Sequence, residues 1–585
     1  MAMLVMAQPL AGQVPDTTRA DSLTRDTTDV TGQLIKSEED SKIHLRSFPR
    51  VGLERLMPGW SRIVLPRDSI EFINAETLGD ILAEASGVYL WRGGWLGRAE
   101  LPNYQGRGST SVEYVIDGVP LLPLGQDSLA VDPSLFPLSM IDRIELETVP
   151  GLLRVHLYLR NHDLLSPRTR IAVARGDFDQ ARYEALFEKR FRSGVGVTGA
   201  VEFRSTPTTA RRFDNNNVWV QMDWVPKPTF GAQLRYLATS TDREADVGTE
   251  TPPDTLALAV KGGRGDLIGH VFFRNREDGL GRRLDLIAGR TSWSSDSLAQ
   301  SRWQGGVIAS SRSPTSSLSA TAMYGSKFTT FDGRLHAGWS PTGVLSASME
   351  GAYQAHDGGR TSTWLLGRAG LRLPLGADLT GSWRLGKVVA VPFVAGDSAQ
   401  DLSDREAYLS WQRSWIGGRV GYSRLAAFRP AAYPQFAQID SIGASGPTEW
   451  LNVEGRISPR QWLTISGWYN HPLGLAPQGT PPDHSVINAA IRSKFLRTFP
   501  SGIFDLKLSL SVENWGTGVI GLDAQGAPIP LPGATFVRAL IQMQFSGLII
   551  YYDRFNLTNS TLSYVPGFPI PQNAATFGVR WAFLN

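Results

Sequence analysis

The chain contains no cysteine. That excludes a disulfide scaffold, a thiolate zinc centre, an iron–sulfur cluster and a cysteine nucleophile. Charge is sparse: Asp, Glu, Lys and Arg make up 19% of the residues, against roughly 25% in an average soluble domain. An excess of one sign is missing too, since 58 basic and 55 acidic residues leave +3. There is no electrostatic footprint for nucleic acid. No run of about 18 apolar residues occurs, which excludes a helical membrane protein. The eight histidines are scattered, with no H-E-x-x-H and no G-x-S-x-G. Gly263-Arg264-Gly265 lacks the spacing and the lysine of a phosphate loop. No catalytic residue, metal site or cofactor is expected.

What the chain has is length, glycine and aromatic residues. Its 585 residues, 60 of them Gly and 36 Pro, suit three or four ordinary domains or one large β architecture. The apolar start from Met1 to Ala7 reads as the tail of a secretory signal whose beginning is missing, so residues 1–13 are taken as a signal remnant. Residues 14–59 are polar and repetitive, as in Asp16-Thr17-Thr18 and Lys36-Ser37-Glu38-Glu39-Asp40. Such a segment buries too little apolar surface to offset its ordering entropy, so a flexible extension is expected.

From residue 164 onward helical periodicity disappears. Segments of roughly ten residues alternate apolar and polar between Gly, Pro, Asp, Asn and Ser. Phe504, Leu506, Leu508, Leu510 and Val512 share one face; Asp505, Lys507, Ser509, Ser511 and Glu513 share the other. Val218, Val220, Met222 and Trp224 repeat the pattern, as do Val537, Ala539, Ile541, Met543 and Phe545. A soluble sandwich would bury the apolar face; a membrane barrel turns it to lipid around a polar lumen. Charges on the polar face favour the barrel. So do aromatics beside turns (Trp515, Trp468-Tyr469, Tyr551-Tyr552), which suit interfacial girdles. Between 22 and 23 strands are discernible, with the ambiguity at 253–293, and bacterial single-chain barrels take an even number. Twenty-two strands of about 10 residues leave connections of roughly ten residues each. Trp219 and Trp462 are candidates for stacking on a ligand from the lumen side, with girdle placement the alternative.

Residues 60–163 read as a small α+β domain. Ile63-Val64-Leu65 is a short strand. Asn74 is placed as the cap of a helix over 75–86 that Gly87 stops. Val112, Tyr114 and Ile116 alternate into an Asp117-Gly118 turn, and Ile141 to Leu146 form a strand with charges on one face.

These residues resemble a known family. Thr77-Leu78-Gly79-Asp80-Ile81-Leu82, Ser86-Gly87-Val88, Gly106-Arg107-Gly108, Val115-Ile116-Asp117-Gly118-Val119-Pro120 and Ile141-Asp142-Arg143-Ile144-Glu145 are similar, in that order, to the plug domain of TonB-dependent outer-membrane receptors. Asn556-Leu557-Thr558-Asn559, Pro566-Gly567-Phe568-Pro569 and the ending Phe577-Gly578-Val579-Arg580-Trp581 match the family's C-terminus. The resemblance covers about 60–585. It implies an all-β membrane protein: a 22-stranded antiparallel transmembrane β-barrel (164–585) with a small α+β plug domain (60–163) folded inside the lumen. Two departures stand out. Leu152-Leu153-Arg154 follows Pro150-Gly151 at once, so the plug is shortened at its last hairpin. A TonB box, the segment that pairs with the energising partner, is best sought at Asp26-Thr27-Thr28-Asp29-Val30.

The resemblance implies a bacterial outer-membrane receptor that takes up a scarce ligand such as an iron chelate, cobalamin or an oligosaccharide. A passive pore or a ligand-sensing barrel without energy coupling is the alternative. The implied partners are a TonB-type protein of the inner membrane, the barrel-assembly machinery, outer-membrane lipid and a small-molecule or oligosaccharide ligand, with the chain itself a monomer and its plug facing the periplasm. Site residues implied by the motifs are Gly106, Arg107, Gly108, Asp117, Gly118, Arg143 and Glu145 in the plug. Phe577, Val579, Trp581 and Phe583 form the C-terminal barrel-insertion signal.

Overall fold

The computed structural model describes residues 42–584, apart from 51–55, 59–60, 95–96, 125–129, 208–211, 248–254, 258, 297 and 395–396. The expected signal remnant and the candidate TonB box, Asp26 to Val30, lie outside the described residues. No described helix is long and apolar enough to cross a membrane.

From Arg168 to Leu584, 22 antiparallel strands close into a barrel. The last, Ala574–Leu584, pairs with the first, Arg168–Gly176. The ambiguous stretch resolves into Val260–Arg274 and Gly281–Ser294. Period-two alternation builds the wall, because successive side chains of a strand point to opposite faces. Met222, Leu234, Leu409 and Leu510 are exposed outward, and Asn215, Gln221, Glu202 and Asp404 are buried inward. This inverts a soluble protein and suits a lipid belt. Leu510→Arg is therefore expected to cost about 2–4 kcal/mol of barrel stability. The inward Ser509→Arg is expected to cost less, and refolding titrations in lipid vesicles measure the difference.

The same parity corrects the girdle expectation. Neighbouring residues of a strand cannot both face outward. Tyr469 and Tyr552 are exposed, whereas Trp468, Tyr551 and Trp515 are buried on the inside. Connections are also uneven rather than about ten residues each. On the rim that holds Arg168 and Leu584, called the terminal rim, turns are as short as 228–229 and 546–547. On the opposite loop rim the segments 426–447, 473–483, 516–533 and 556–573 are long, while 326–328 and 357–360 are short.

Inside the barrel lies the N-terminal domain. Its elements are β1 (Arg62–Pro66), α1 (Arg67–Ile73), α2 (Leu78–Ala83), β2 (Val88–Arg92), β3 (Glu100–Tyr104), β4 (Val112–Ile116), β5 (Val119–Leu121), β6 (Ile141–Val149) and β7 (Leu152–Leu159). Five strands form one sheet in the order β1-β6-β7-β4-β5, and β2-β3 is a separate hairpin. Asn74 does not cap a helix start. It ends α1 with φ 56°, a left-handed conformation that Asn tolerates. The start of α2 is capped by Thr77, whose hydroxyl accepts from the Asp80 amide while Asp80 accepts from the Thr77 amide. That reciprocal box satisfies two free donors at once and outcompetes Asn74.

The main sheet has two unlike faces. Ile144 and Leu146 of β6 and Val155 and Leu157 of β7 pack with Ile81 and Leu82, in a core completed by Leu186, Trp219 and Leu237 of the barrel wall. Arg143, Glu145 and Glu147, with Arg154, His156 and Tyr158, take the opposite face. Ahead of β1, the segment from Lys42 to Arg50 runs along the terminal rim. The Leu45 amide donates to the Asp163 carbonyl at 2.6 Å, and Phe48 is buried against Val225 and Phe272.

Candidate functional site

Three arrangements join the inner domain to the wall. The first is a clasp at the loop rim. Arg107 Nη2 donates to Asp404 Oδ1 at 2.6 Å and to the Ala426 carbonyl at 3.1 Å, and its guanidinium lies 4.4 Å from the Phe428 ring centroid. Asp404 in turn accepts from the Ala426 amide at 2.8 Å. One pair thus ties the inner domain, the wall and loop 426–447. Gly108 makes the approach possible. Its φ is 75°, and a Cβ there would sit 2.7 Å from the Ala431 carbonyl oxygen.

The second is a roof. Loops 426–447, 473–483, 516–533 and 556–573 fold inward over the β2-β3 hairpin. Trp91 Nε1 donates to the Gly479 carbonyl at 2.8 Å and Tyr89 OH to the Tyr564 carbonyl at 2.6 Å. Trp91 also packs 4.7 Å from Tyr433 and 5.8 Å from Phe436. This half of the loop rim is sealed by apolar packing.

The third is a passage on the other half, between the charged face of the sheet and the wall. It is a cavity of about 440 Å³ reaching from Pro392 and Phe393 at the loop rim to Arg50 and Met57 at the terminal rim. That volume suits a small molecule. Ion pairs cross it. Glu147 meets Arg368 at 2.8 Å, Arg154 meets Glu350 at 3.3 Å, and Glu113 meets Arg334 at 3.4 Å. Burial pushes the Glu113 carboxyl up, but Arg334 and Arg154 outweigh it and bring it to about 2. Elsewhere Asp117 of the β4-β5 turn pairs with Arg235 of the wall at 2.7 Å. Among the described residues no group of three or more His, Asp or Glu side chains is placed to hold a metal ion.

A family model described as the TonB-dependent receptor plug domain matches residues 59–151. With that domain inside a closed 22-stranded barrel, the assignment follows. Residues 59–151 are a plug domain of the TonB-dependent receptor type. Solved structures carry the same fold at low identity. A mutant of the ferric enterobactin receptor of Pseudomonas aeruginosa superposes with TM-score 0.68 at 10% identity, covering 94% of this chain and 99% of that one. An iron transporter of Neisseria meningitidis gives 0.67 at 10%, covering 90% and 100%. A siderophore receptor of Acinetobacter baumannii gives 0.67 at 8%, covering 90% and 98%. No curated protein gives a significant sequence match.

The motif residues of the plug and barrel do not form one site. Gly106, Arg107 and Gly108 build the clasp. Asp117 and Gly118, with φ 45° and 80°, make the β4-β5 turn beside Arg235. Arg143 and Glu145 pair with each other on the passage face, where Arg62 also reaches Glu145 at 2.7 Å. Phe577 and Trp581 are exposed outward, Val579 and Phe583 are half-buried, and all four lie on the strand that closes the barrel. Of the two tryptophans offered for ligand stacking, Trp219 faces inward but is buried in the plug–wall core, and Trp462 sits in the 461–462 turn at the terminal rim, 48% exposed. Neither lines the passage. The wall partners Asp404, Arg235, Glu350 and Arg368 were not singled out from sequence. The available signal was parity, since each falls on the face opposite the apolar one.

One plug cluster carries a pH prediction. Arg92 lies 2.8 Å from Asp80 and 3.8 Å from Glu100, and Thr77 Oγ1 donates to Glu100 at 2.5 Å. Burial lifts the Glu100 carboxyl to about 7 against the pull of Arg92, with the Asp80 charge adding to the lift. Folded Glu100 then keeps its proton to higher pH than in the unfolded chain, where the ordinary value is 4.5. The folded state binds more protons between those two values, so this group's contribution to stability falls as pH rises through that window. Glu100→Gln is expected to flatten the fall, read as plug unfolding midpoints at pH 5 and pH 8.

Proposed function

We propose that the chain is an outer-membrane transporter of the TonB-dependent type, taking up a scarce small ligand through the plugged barrel. The observation that carries this is a plug tied to the wall by buried ion pairs, with one charged passage beside it. Such ties hold against leakage yet are made of discrete contacts that a pull can break. The loop rim faces outside, where the ligand enters over the short loops; the terminal rim, with the chain ahead of β1, faces the periplasm. There a TonB-type partner pulls, using energy from the inner membrane. Asp26 to Val30 is the segment offered to it. The relatives' names, ferric enterobactin receptor and siderophore receptor, favour an iron chelate as ligand. The strand carrying Phe577, Val579, Trp581 and Phe583 is the signal read by the barrel-assembly machinery, and the barrel works as a monomer.

Single-channel conductance in planar bilayers tests the reading. The full chain is expected to be silent, and a chain lacking residues 1–163 is expected to form a large open pore. Equal conductance in both would replace the gated transporter with a passive pore.

A further inference from the structure

We infer that the passage contains a binding site for an oxyanion group, a carboxylate or a phosphate, with Arg384 as its principal residue. The inference deepens the transporter reading and rests on it only for treating the anion as part of the cargo.

Arg384 lies on the wall strand Ala377–Val389 and lines the passage. It is 5% exposed. Its guanidinium sits 5.3 Å from the Trp364 ring centroid, and those of Arg154 and Arg334 sit 5.8 Å from the same ring. Three cations therefore surround one indole. Two of them are neutralised: Arg154 by Glu113 at 3.0 Å and Glu147 at 3.2 Å, and Arg334 by Asp332 at 2.9 Å. Arg384 has no ion pair or hydrogen bond to any described residue, and its Nε is buried without a partner. Neither nearby carboxylate pairs with it. Asp404 turns Oδ1 to Arg107 and to the Ala426 amide and leaves Oδ2 buried without a partner, while Glu113 is shared by Arg154 and Arg334.

The imbalance extends along the passage, which is lined by eight arginines and five carboxylates. A buried cation without a counter-charge is costly. Asp404 and Glu113 offset part of that cost from a distance, and water or an anionic guest in this cavity would offset the rest. A planar guanidinium fork matches a carboxylate or a phosphate with two parallel hydrogen bonds. Toward the loop rim, Arg107 keeps a second buried donor free, Nη1. An anion entering under the short loops thus meets Arg107 and then Arg384, on a route that ends at the terminal rim.

Equilibrium dialysis of the full chain in detergent tests the site, with inorganic phosphate and succinate as separate probes. Saturable binding of either is expected, and which of the two binds identifies the group. R384Q is expected to weaken it by about tenfold or more. R372Q, at a site whose side chain is 65% exposed, is expected to leave it unchanged. Heat-modifiable gel migration reports whether each variant is folded. A second measurement needs no variant: selenate soaked into crystals of the full chain is expected to give an anomalous peak within hydrogen-bond reach of Arg384. No saturable binding of either probe, equal binding by folded R384Q, equal loss in R372Q, or no selenate at Arg384 would each overturn the inference. Binding is read without the energising partner, so its failure leaves the gated-transport reading standing. A silent uptake assay with intact binding would fail that reading alone.

Discussion

Asp404→Ala is expected to loosen the plug by about 3–5 kcal/mol, because it leaves the Arg107 guanidinium buried and uncompensated. Both side chains are almost fully buried, 5% and 0% exposed. Arg107 also keeps Nη1 without a partner, so no spare acceptor waits for it. The loss extends beyond the pair. Asp404 also holds the Ala426 amide, and Phe428 lies over the guanidinium, so loop 426–447 loses its anchor with the wall. The readout is the urea concentration at which bilayer currents first appear, expected to fall in the variant. The apolar pair Arg107→Met with Asp404→Leu is expected to restore most of the loss, since buried ion pairs exchanged for packed apolar groups are often near neutral. A single variant as tight as the parent chain would mean that the clasp does not retain the plug.

Trp91→Ala is expected to open the roof. Trp91 is fully buried, packed on Tyr433 and Phe436 of one loop and hydrogen-bonded to Gly479 of another. Truncating such a tryptophan costs about 3–5 kcal/mol through lost transfer energy and the cavity left behind. The barrel ladder is untouched, so the effect should be local. Phe436, buried in loop 426–447 and followed by Ala437, gives chymotrypsin a place to cut once that loop opens. Cleavage there is expected to appear in the variant while the strands stay intact. Unchanged resistance would place the loop's stability in Tyr433 OH and its bond to the Pro102 carbonyl at 2.8 Å rather than in the indole.

Sealing by the roof and opening by the passage fall on opposite halves of one rim. That asymmetry follows from loop length. The long loops carry Tyr433, Phe436, Tyr564 and Phe568, enough aromatic surface to cover the β2-β3 hairpin. The short turns 326–328 and 357–360 offer only Phe328, which packs on Phe393, and the charged face of the sheet stays uncovered beneath them.

Much of this was legible in the sequence, for a physical reason. Strand parity is a local property: Phe504 to Glu513 or Val218 to Trp224 states which side is lipid without reference to anything distant. The even strand number, the Asp117-Gly118 turn and the plug motifs are local in the same sense. Errors arose where two local rules competed. Asn74 looked like a helix start until Thr77 and Asp80 offered a better one, and Trp515 looked like a girdle residue until Tyr564 of loop 556–573 and Phe536 of the neighbouring strand packed against it inside the barrel.

By itself, then, the sequence determined the barrel, its strand number and the presence of an inner α+β domain with plug motifs. The tertiary structure alone decided what each charge does. Arg107 and Asp404 are 297 residues apart, and Asp117 and Arg235 are 118 apart. Nothing in the neighbourhood of either residue names its partner, because an ion pair depends on position in space and not along the chain. Arg384 has the same composition and parity as its paired neighbours. Only closure of the barrel around the plug shows that the carboxylates near it pair with other arginines.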